Sequence, residues 1–380
     1  MTRRQLLAAT PALMYAASHG PRPDSELGNL LQAIVEKRTA PALAGIAITG
    51  NRPPLTAVVG VRKHGDPTPA RPNDRFHLGS CTKAMTAVLI AQLIEEGKLD
   101  WSTRLPDALP DLAARLPAEI CGITIDHLLA HRSGLSSKLH PRPTLAERIA
   151  GAQSPAAARA QRTAFAADVL TQPLIAPPGN AYEYSNAGYI LLGAIIERRR
   201  DRPWEEVIRA RLFKPLRMRS AGFGAMGAPN SVDQPWQHQI KSGKILAIEP
   251  GVFADNPASL GPAGTVHCAP ADWARFLSVA LRGETAGGCG LRAATWKRLL
   301  TPQFGGDYAG GWIVTERSWG GRVVTHAGSN TLSYCVAWLA PDRGFGAAAM
   351  TNLGGNGAAE ACDDAVSAII GKLASGAAPR

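Results

Sequence analysis

No apolar run in these 380 residues reaches the roughly 18–20 that a membrane-crossing helix needs, which excludes an integral membrane protein of that kind. Charge is scarce: 19% of residues are charged, against about 25% in typical soluble domains. Cysteine is rarer still. Six cysteines, at 81, 121, 268, 289, 335 and 362, are too few for a disulfide scaffold, and no CxxC pair exists to build a zinc ribbon or a thioredoxin-type site. No G-x-S-x-G elbow occurs, which excludes the nucleophile turn of an α/β-hydrolase. There is no internal repeat, and no low-complexity tract beyond the Ala-rich stretch from Pro155 to Ala167.

Glycine and proline are plentiful instead, at 39 and 29, together about 18% of positions against roughly 12% in average usage. With 45% hydrophobic residues the chain has the material for a core, so it reads as a loop-rich globular protein and not as a disordered one. Basic residues outnumber acidic ones, 41 to 30, for a net charge of +11. The pI is near 9.7, which brings nucleic acid and anionic surfaces into consideration.

The amino terminus opens Met1-Thr2-Arg3-Arg4, continues as a mild apolar stretch and reaches a small-x-small Ala16-Ala17-Ser18. This order describes a signal peptide over residues 1–18, and the paired arginines resemble a twin-arginine export signal. The expectation is a periplasmic or secreted protein whose mature charge falls to 11 − 2 = +9. An exported chain has the option of one or two disulfides, but spacing does not assign them.

Beyond it, Asp24-Ser25-Glu26 can cap a helix carrying Leu27, Leu30, Leu31, Ile34 and Val35 on one stripe. Two strand-like runs, Leu43 to Thr49 and Leu55 to Val61, flank a Gly- and Pro-containing turn and read as a hairpin. The pattern is helical from Ser80 to Leu99 and again from about Ala187 to Arg199, with proline-rich loops between. The last third reads as successive antiparallel strands, Tyr308–Thr315, Arg322–Thr325, Leu332–Leu339 and Phe345–Thr351, before a closing helix. The expected fold is α+β: an antiparallel sheet flanked by helices and formed by both chain ends, residues 21–79 and 265–380, with a mainly helical domain inserted at 80–264.

The chemistry concentrates at Ser80-Cys81-Thr82-Lys83, an S-x-x-K after the short strand Arg75 to Leu78. A serine hydroxyl is a weak nucleophile until a base takes its proton. Residues three apart share a helix face, so Lys83 can bring its amine to Ser80, and burial would lower its pKa toward that of a working base. Two further pieces follow in order. Tyr184-Ser185-Asn186 places a phenol and a carboxamide between a Pro-Pro-Gly-Asn turn and a helix. His326-Ala327-Gly328-Ser329 is a small-residue strand along which a substrate can lie, with the Ser329 amide available to an oxyanion.

These three motifs in this order resemble the serine β-lactamase and penicillin-binding-protein superfamily, and the Y-x-N form of the second resembles its class C branch with D,D-peptidase and carboxylesterase relatives. Leu128 to Leu135, Pro177-Pro178-Gly179, Phe213 to Leu216, Pro262-Ala263-Gly264 and Gly310-Gly311-Trp312 agree, and the resemblance spans about residues 25 to 375. It implies Ser80 as nucleophile, Lys83 as its base and Tyr184 as proton shuttle. Asn186 and His326 would contact substrate, and the strand residues Gly328 and Ser329 would join Ser80 in forming the oxyanion hole. It implies no cofactor, and a small ester, amide or β-lactam as substrate. One departure stands out. Many members carry K-T-G where this chain has His326-Ala327-Gly328, so the lysine that attracts a substrate carboxylate is missing. That favours an esterase, or a peptidase with a less anionic substrate, over a β-lactamase or D-amino-acid peptidase. A catalytically poor binding protein that acylates without turnover is the remaining alternative.

Other features have plainer readings. Lys241-Ser242-Gly243 mimics a K-S-G but sits too early, in a polar loop, and is assigned to a turn. His127 and His131 are four apart, yet no H-E-x-x-H accompanies them, and both read as structural with no metal. The basic run Arg198 to Arg202 ends a helix and is interrupted by glutamates nearby, so a solvated face is expected and no nucleic acid. Cys81 reads as a small buried residue without a redox partner.

Overall fold

A computed structural model of the chain describes residues 25–376, so the signal sequence read at 1–18 lies outside the described residues. The first helix, α1 (Glu26–Arg38), is capped by the Ser25 hydroxyl, which accepts the Gly28 N–H at 3.0 Å. Strands β1 (Ala42–Thr49) and β2 (Leu55–Gly60) follow as the expected hairpin. The carboxy-terminal third supplies β8 (Tyr308–Ala309), β9 (Trp312–Arg317), β10 (Gly321–Ser329), β11 (Tyr334–Ala340) and β12 (Phe345–Thr351). Together they make one antiparallel sheet in the order β2-β1-β12-β11-β10-β9-β8, so the two chain ends meet where β1 pairs with β12. The run read as a single strand from Tyr308 is two strands, because Gly310 and Gly311 turn the chain with φ of 43° and 89°.

Alternate residues of the inner strands face opposite layers. Leu43, Ala47, Ala347 and Ala349 pack under α1 and the closing helix α8 (Asn356–Ala374) with Leu31, Val366 and Ile369. Ala44, Ile46, Ala348 and Met350 face the other way, into a larger core with α2 (Thr82–Glu95) and α7 (Pro270–Ala286). Both faces are covered, which is why β12 is buried along its whole length and reads as an unbroken apolar run.

Between these parts lie α3 (Leu145–Gln153), α4 (Pro155–Val169), α5 (Asn186–Arg200), α6 (Trp204–Ile208) and several short strands. A small sheet pairs β3 (Phe76–His77) and β4 (Gly222–Phe223) with the central β7 (Val266–Cys268), and β5 (Gln237–Lys241) and β6 (Lys244–Ile248) form a hairpin. Ser242 and Gly243 are its turn, at φ of 51° and 74°, in keeping with the sequence reading of the K-S-G mimic. The helical layer is pinned by a buried cation. Arg162 on α4 meets Glu197 on α5 at 2.5 Å and Glu205 on α6 at 2.8 Å, its side chain fully shielded from solvent. The carboxylates hold that guanidinium charged against the desolvation that burial imposes.

The surface arginines at the end of α5 are paired, not free. Arg198 meets Asp111 at 2.6 Å, Arg200 meets Glu96 at 2.6 Å, and Arg199 donates to the Asp107 carbonyl at 2.6 Å. Arg198 and Arg200 thus pair with partly exposed acidic neighbours and Arg199 with a backbone carbonyl, on the face that the sequence reading expects to be solvated. No helix among the described residues is long and apolar enough to cross a membrane.

Candidate active site

Ser80 sits in a single tight turn, Gly79–Cys81, that leads into α2, so Ser80 and Lys83 lie on one face of the helix start. Lys83 is fully buried. Its Nζ lies 3.2 Å from Ser80 Oγ, 2.8 Å from Asn186 Oδ1 and 2.8 Å from the Ala263 carbonyl oxygen. The carboxamide oxygen and the carbonyl accept only. A neutral amine therefore spends its two N–H groups on them and turns its lone pair to the Ser80 hydroxyl. Burial pushes the Lys83 pKa down from 10.5 to about 7, with the neighbouring Cys81 opposing the shift.

What dries this site is a cluster of rings. Nζ lies 4.9 Å from the Tyr184 ring centroid and 5.6 Å from that of Tyr189. His131, left-handed at φ 54°, stacks 4.3 Å from Tyr184 and 4.6 Å from Tyr308, and its Nδ1 accepts the Ser185 N–H at 3.2 Å. Burial, reinforced by the neighbouring Lys83, keeps the His131 pKa well below its ordinary value, so this ring adds no positive charge beside Lys83. His127 instead completes the cap of the helix Ile125–Leu129, its ring nitrogen accepting the Thr124 N–H at 3.2 Å. Burial also pushes the Tyr184 phenol up, against a lowering contact with Ser80. Tyr184 is thus a proton donor at neutral pH, and Lys83 is the group poised to accept.

The segment opposite is held by close backbone approach. Gly79 has φ 47°, and a Cβ placed there would lie 2.3 Å from the Ser329 nitrogen. A Cβ on Gly328 would lie 2.0 Å from the Leu78 carbonyl oxygen and 2.9 Å from the Ser80 nitrogen. Glycine at both positions lets the end of β10 touch the Ser80 turn and brings the Ser80 and Ser329 amides side by side. From Ala327 onward β10 pairs only with β11, since its partner β9 ends opposite Thr325 and Gly321. The strand edge carrying Ala327 and Ser329 is therefore open to a ligand.

The structure thus draws Ser80, Lys83, Tyr184, Asn186, Gly328 and Ser329 together. His326 is placed differently from the open edge: only 4% exposed, its ring lies 3.2 Å from the Tyr308 hydroxyl through Nε2 and 4.0 Å from Cys81 Sγ through Nδ1. It faces inward because side chains alternate along β10, and Ala327 and Ser329 take the exposed positions. Sequence reasoning missed Tyr308, whose buried phenol is recognisable only once β8 is folded beside β10. It also left Cys81 without a sulfur partner, whereas Cys335 Sγ on β11 lies 3.5 Å from Cys81 Sγ. The Ala263 carbonyl was missed as well, although its Pro262-Ala263-Gly264 stretch was singled out. Gly193 makes that contact possible, since a Cβ on α5 there would lie 2.1 Å from Pro262. Among the described residues no group of His, Cys, Asp and Glu is arranged to hold a metal ion.

With this geometry in place, the family model of the β-lactamases matches the chain over residues 27–370. The chain belongs to the Beta-lactamase family. Penicillin-binding protein 4 of Amycolatopsis lactamdurans is 30% identical over 227 residues, which is 58% of this chain and 55% of that protein. Esterase EstB of Burkholderia gladioli is 30% identical over 200 residues, 50% of this chain and 49% of the esterase. The aligned part is thus about half the length of each of these relatives. The D-amino acid amidase from Ochrobactrum anthropi superposes with a TM-score of 0.71 at 19% identity, covering 92% of this chain and 100% of the amidase, a likeness of fold. This Beta-lactamase family member therefore has the family's mixed fold, an antiparallel sheet flanked by helices, which it shares with the D-amino acid amidase, and relatives that include an esterase and a penicillin-binding protein.

Proposed function

We propose that this protein is a serine hydrolase that works through an acyl-Ser80 intermediate on small esters or amides. The observation that carries the proposal is the Lys83 amine, 3.2 Å from Ser80 Oγ, with burial bringing its pKa down to about 7. Neutral Lys83 takes the Ser80 proton as Oγ attacks the acyl carbon, and the resulting oxyanion rests against the Ser80 and Ser329 amides. Collapse of the tetrahedral intermediate breaks the bond to the leaving group. Tyr184, which burial keeps protonated, supplies that group's proton and is replenished from Lys83. Water then attacks the acyl-enzyme, its proton passing by way of Tyr184 to neutral Lys83, which returns one to the Ser80 oxygen as that departs from the acyl carbon.

Esters come first among the substrates because the strand position that would carry a permanent cation holds His326, whose ring is turned inward to Tyr308 and Cys81. The similarity to an esterase supports the same ranking, and the similarity to a penicillin-binding protein keeps β-lactams and D-amino-acid peptides or amides as the second reading. Turnover of short p-nitrophenyl esters, measured beside the chromogenic cephalosporin nitrocefin with intact mass of the Ser80 adduct, separates them. Efficient nitrocefin hydrolysis without ester turnover reverses the ranking, and a stable adduct without product release favours the non-turning-over binder. Export through the twin-arginine-like amino terminus belongs to the same proposal; fractionation that finds the chain wholly cytoplasmic with Met1 retained would remove it.

A further inference from the structure

The two amides that would hold the oxyanion belong to different segments, and at the seam nothing but backbone separates them. Gly79 carries no side chain and Gly328 none, so their spacing is set from behind. There His77, the last residue of β3, accepts the Gly79 N–H at its Nδ1 at 2.9 Å. That contact places the ring proton on Nε2. Nε2 faces Asp255 Oδ1 at 2.8 Å, with the two side chains 0% and 3% exposed. The same carboxylate oxygen accepts Asn330 Nδ2 at 3.1 Å and the Asn256 N–H at 2.7 Å. Asn330 directly follows Ser329; it also donates to Gln237 Oε1 at 3.0 Å and accepts the Leu332 N–H at 3.2 Å. Among the described residues His77 Nε2 and Asp255 Oδ2 have no hydrogen-bond partner, so the imidazole and the carboxylate meet as a close, buried polar contact.

One buried carboxylate therefore reaches both halves of the oxyanion hole: through His77 to the turn that presents the Ser80 amide, and through Asn330 to the strand end that presents the Ser329 amide. Burying a carboxylate is unfavourable unless its contacts repay desolvation, and here the contacts are spent on these two segments. We propose that His77, Asp255 and Asn330 are positioning residues that clamp the Ser80 and Ser329 amides at the separation an oxyanion requires. The clamp rests on the acyl-Ser80 reading above. It acts on the transition state and not on substrate capture, so its loss lowers kcat and leaves KM nearly unchanged.

The test measures kcat and KM on a p-nitrophenyl ester for Asp255→Ala, Asp255→Asn, His77→Asn and Asn330→Ala, with kcat expressed per active site titrated as Ser80 adduct by intact mass. Displacing one donor of a pair whose outright removal costs ~10²–10³ in kcat should lower kcat of Asp255→Ala and Asn330→Ala by about tenfold or more, with KM within about threefold of wild type. Asp255→Asn keeps an acceptor for the imidazole N–H and recovers most of the rate. His77→Asn keeps the acceptor for Gly79 but not the link to Asp255, and falls with Asp255→Ala. A merely structural role would lower the melting temperature and the fraction of titratable sites without moving kcat per site. Values of kcat per site within about twofold of wild type in Asp255→Ala and Asn330→Ala overturn the clamp, and Asn330→Ala with Asp255→Asn decides the matter if Asp255→Ala does not fold. Absence of any Ser80 adduct in the wild-type protein instead overturns the acyl-Ser80 reading itself.

Discussion

The pH at which Lys83 loses its proton is the most exposed consequence of the buried amine. At an ordinary lysine pKa of 10.5, roughly 0.03% of the side chain is neutral at pH 7, whereas at about 7 half of it is, an enrichment of roughly 10³-fold. The neutral form is the active one, so kcat/KM should rise with pH, bend at about 7 and fall roughly tenfold per unit on the acid side. Asn186→Asp perturbs this limb directly, because it sets a carboxylate where Asn186 Oδ1 now lies, 2.8 Å from Nζ. An opposite charge at that range favours the ammonium by roughly 1–3 pH units, so the limb moves alkaline. Activity at pH 7 then drops roughly 5- to 500-fold and returns as the pH approaches about 9–10. Asn186→Ala lowers activity without the alkaline displacement. Initial rates of ester hydrolysis between pH 5 and 10, corrected for spontaneous hydrolysis, measure all three profiles. A wild-type profile flat between pH 6 and 8, or an Asn186→Asp limb that stays where the wild-type limb lies, refutes Lys83 as the base.

Three further expectations follow from the same geometry. Ser80→Ala abolishes turnover with circular dichroism unchanged, and Tyr184→Phe costs the ~10²–10⁴ of a lost general acid; retained hydrolysis in Ser80→Ala would place the nucleophile elsewhere. Gly328→Ala drives a Cβ to 2.0 Å from the Leu78 carbonyl oxygen, so β10 withdraws from the Ser80 turn and kcat falls by at least the ~10²–10³ of one oxyanion donor, as steady-state kinetics will report. Arg162→Ala strands Glu197 and Glu205, both buried, and should lower the unfolding free energy by about 3–5 kcal/mol in a urea titration near neutral pH. A loss under about 1 kcal/mol there would mean that the buried ion pair does not hold the helical layer together.

The S-x-x-K, Y-x-N and H-A-G motifs were legible in order because each is a short local pattern whose spacing follows helix or strand geometry. The helices at Ser25 and Asn186 and the hairpins at both ends were legible for the same reason: capping residues, glycines and apolar periodicity act within a few positions. His77 and Asp255 were not legible. They lie 178 positions apart, and nothing local distinguishes a histidine that will meet a buried aspartate from one facing water. Tyr308 and the Ala263 carbonyl were hidden likewise, one behind a two-residue strand and the other within a backbone that any residue type supplies.

The sequence by itself determined the proposed Ser80–Lys83 pair, the order of the motifs, the strand ends of the fold and the family, because these depend on residue identity and short-range spacing. Only the tertiary structure decided how the pair behaves. Burial of Lys83 among Tyr184, Tyr189 and His131, and not its position three residues after Ser80, is what brings its pKa to about 7. The inward turn of His326 and the clamp behind the Ser80 and Ser329 amides were likewise decided by packing. Desolvation and the spacing between distant backbones are properties of packed three-dimensional neighbours, and a motif does not contain them.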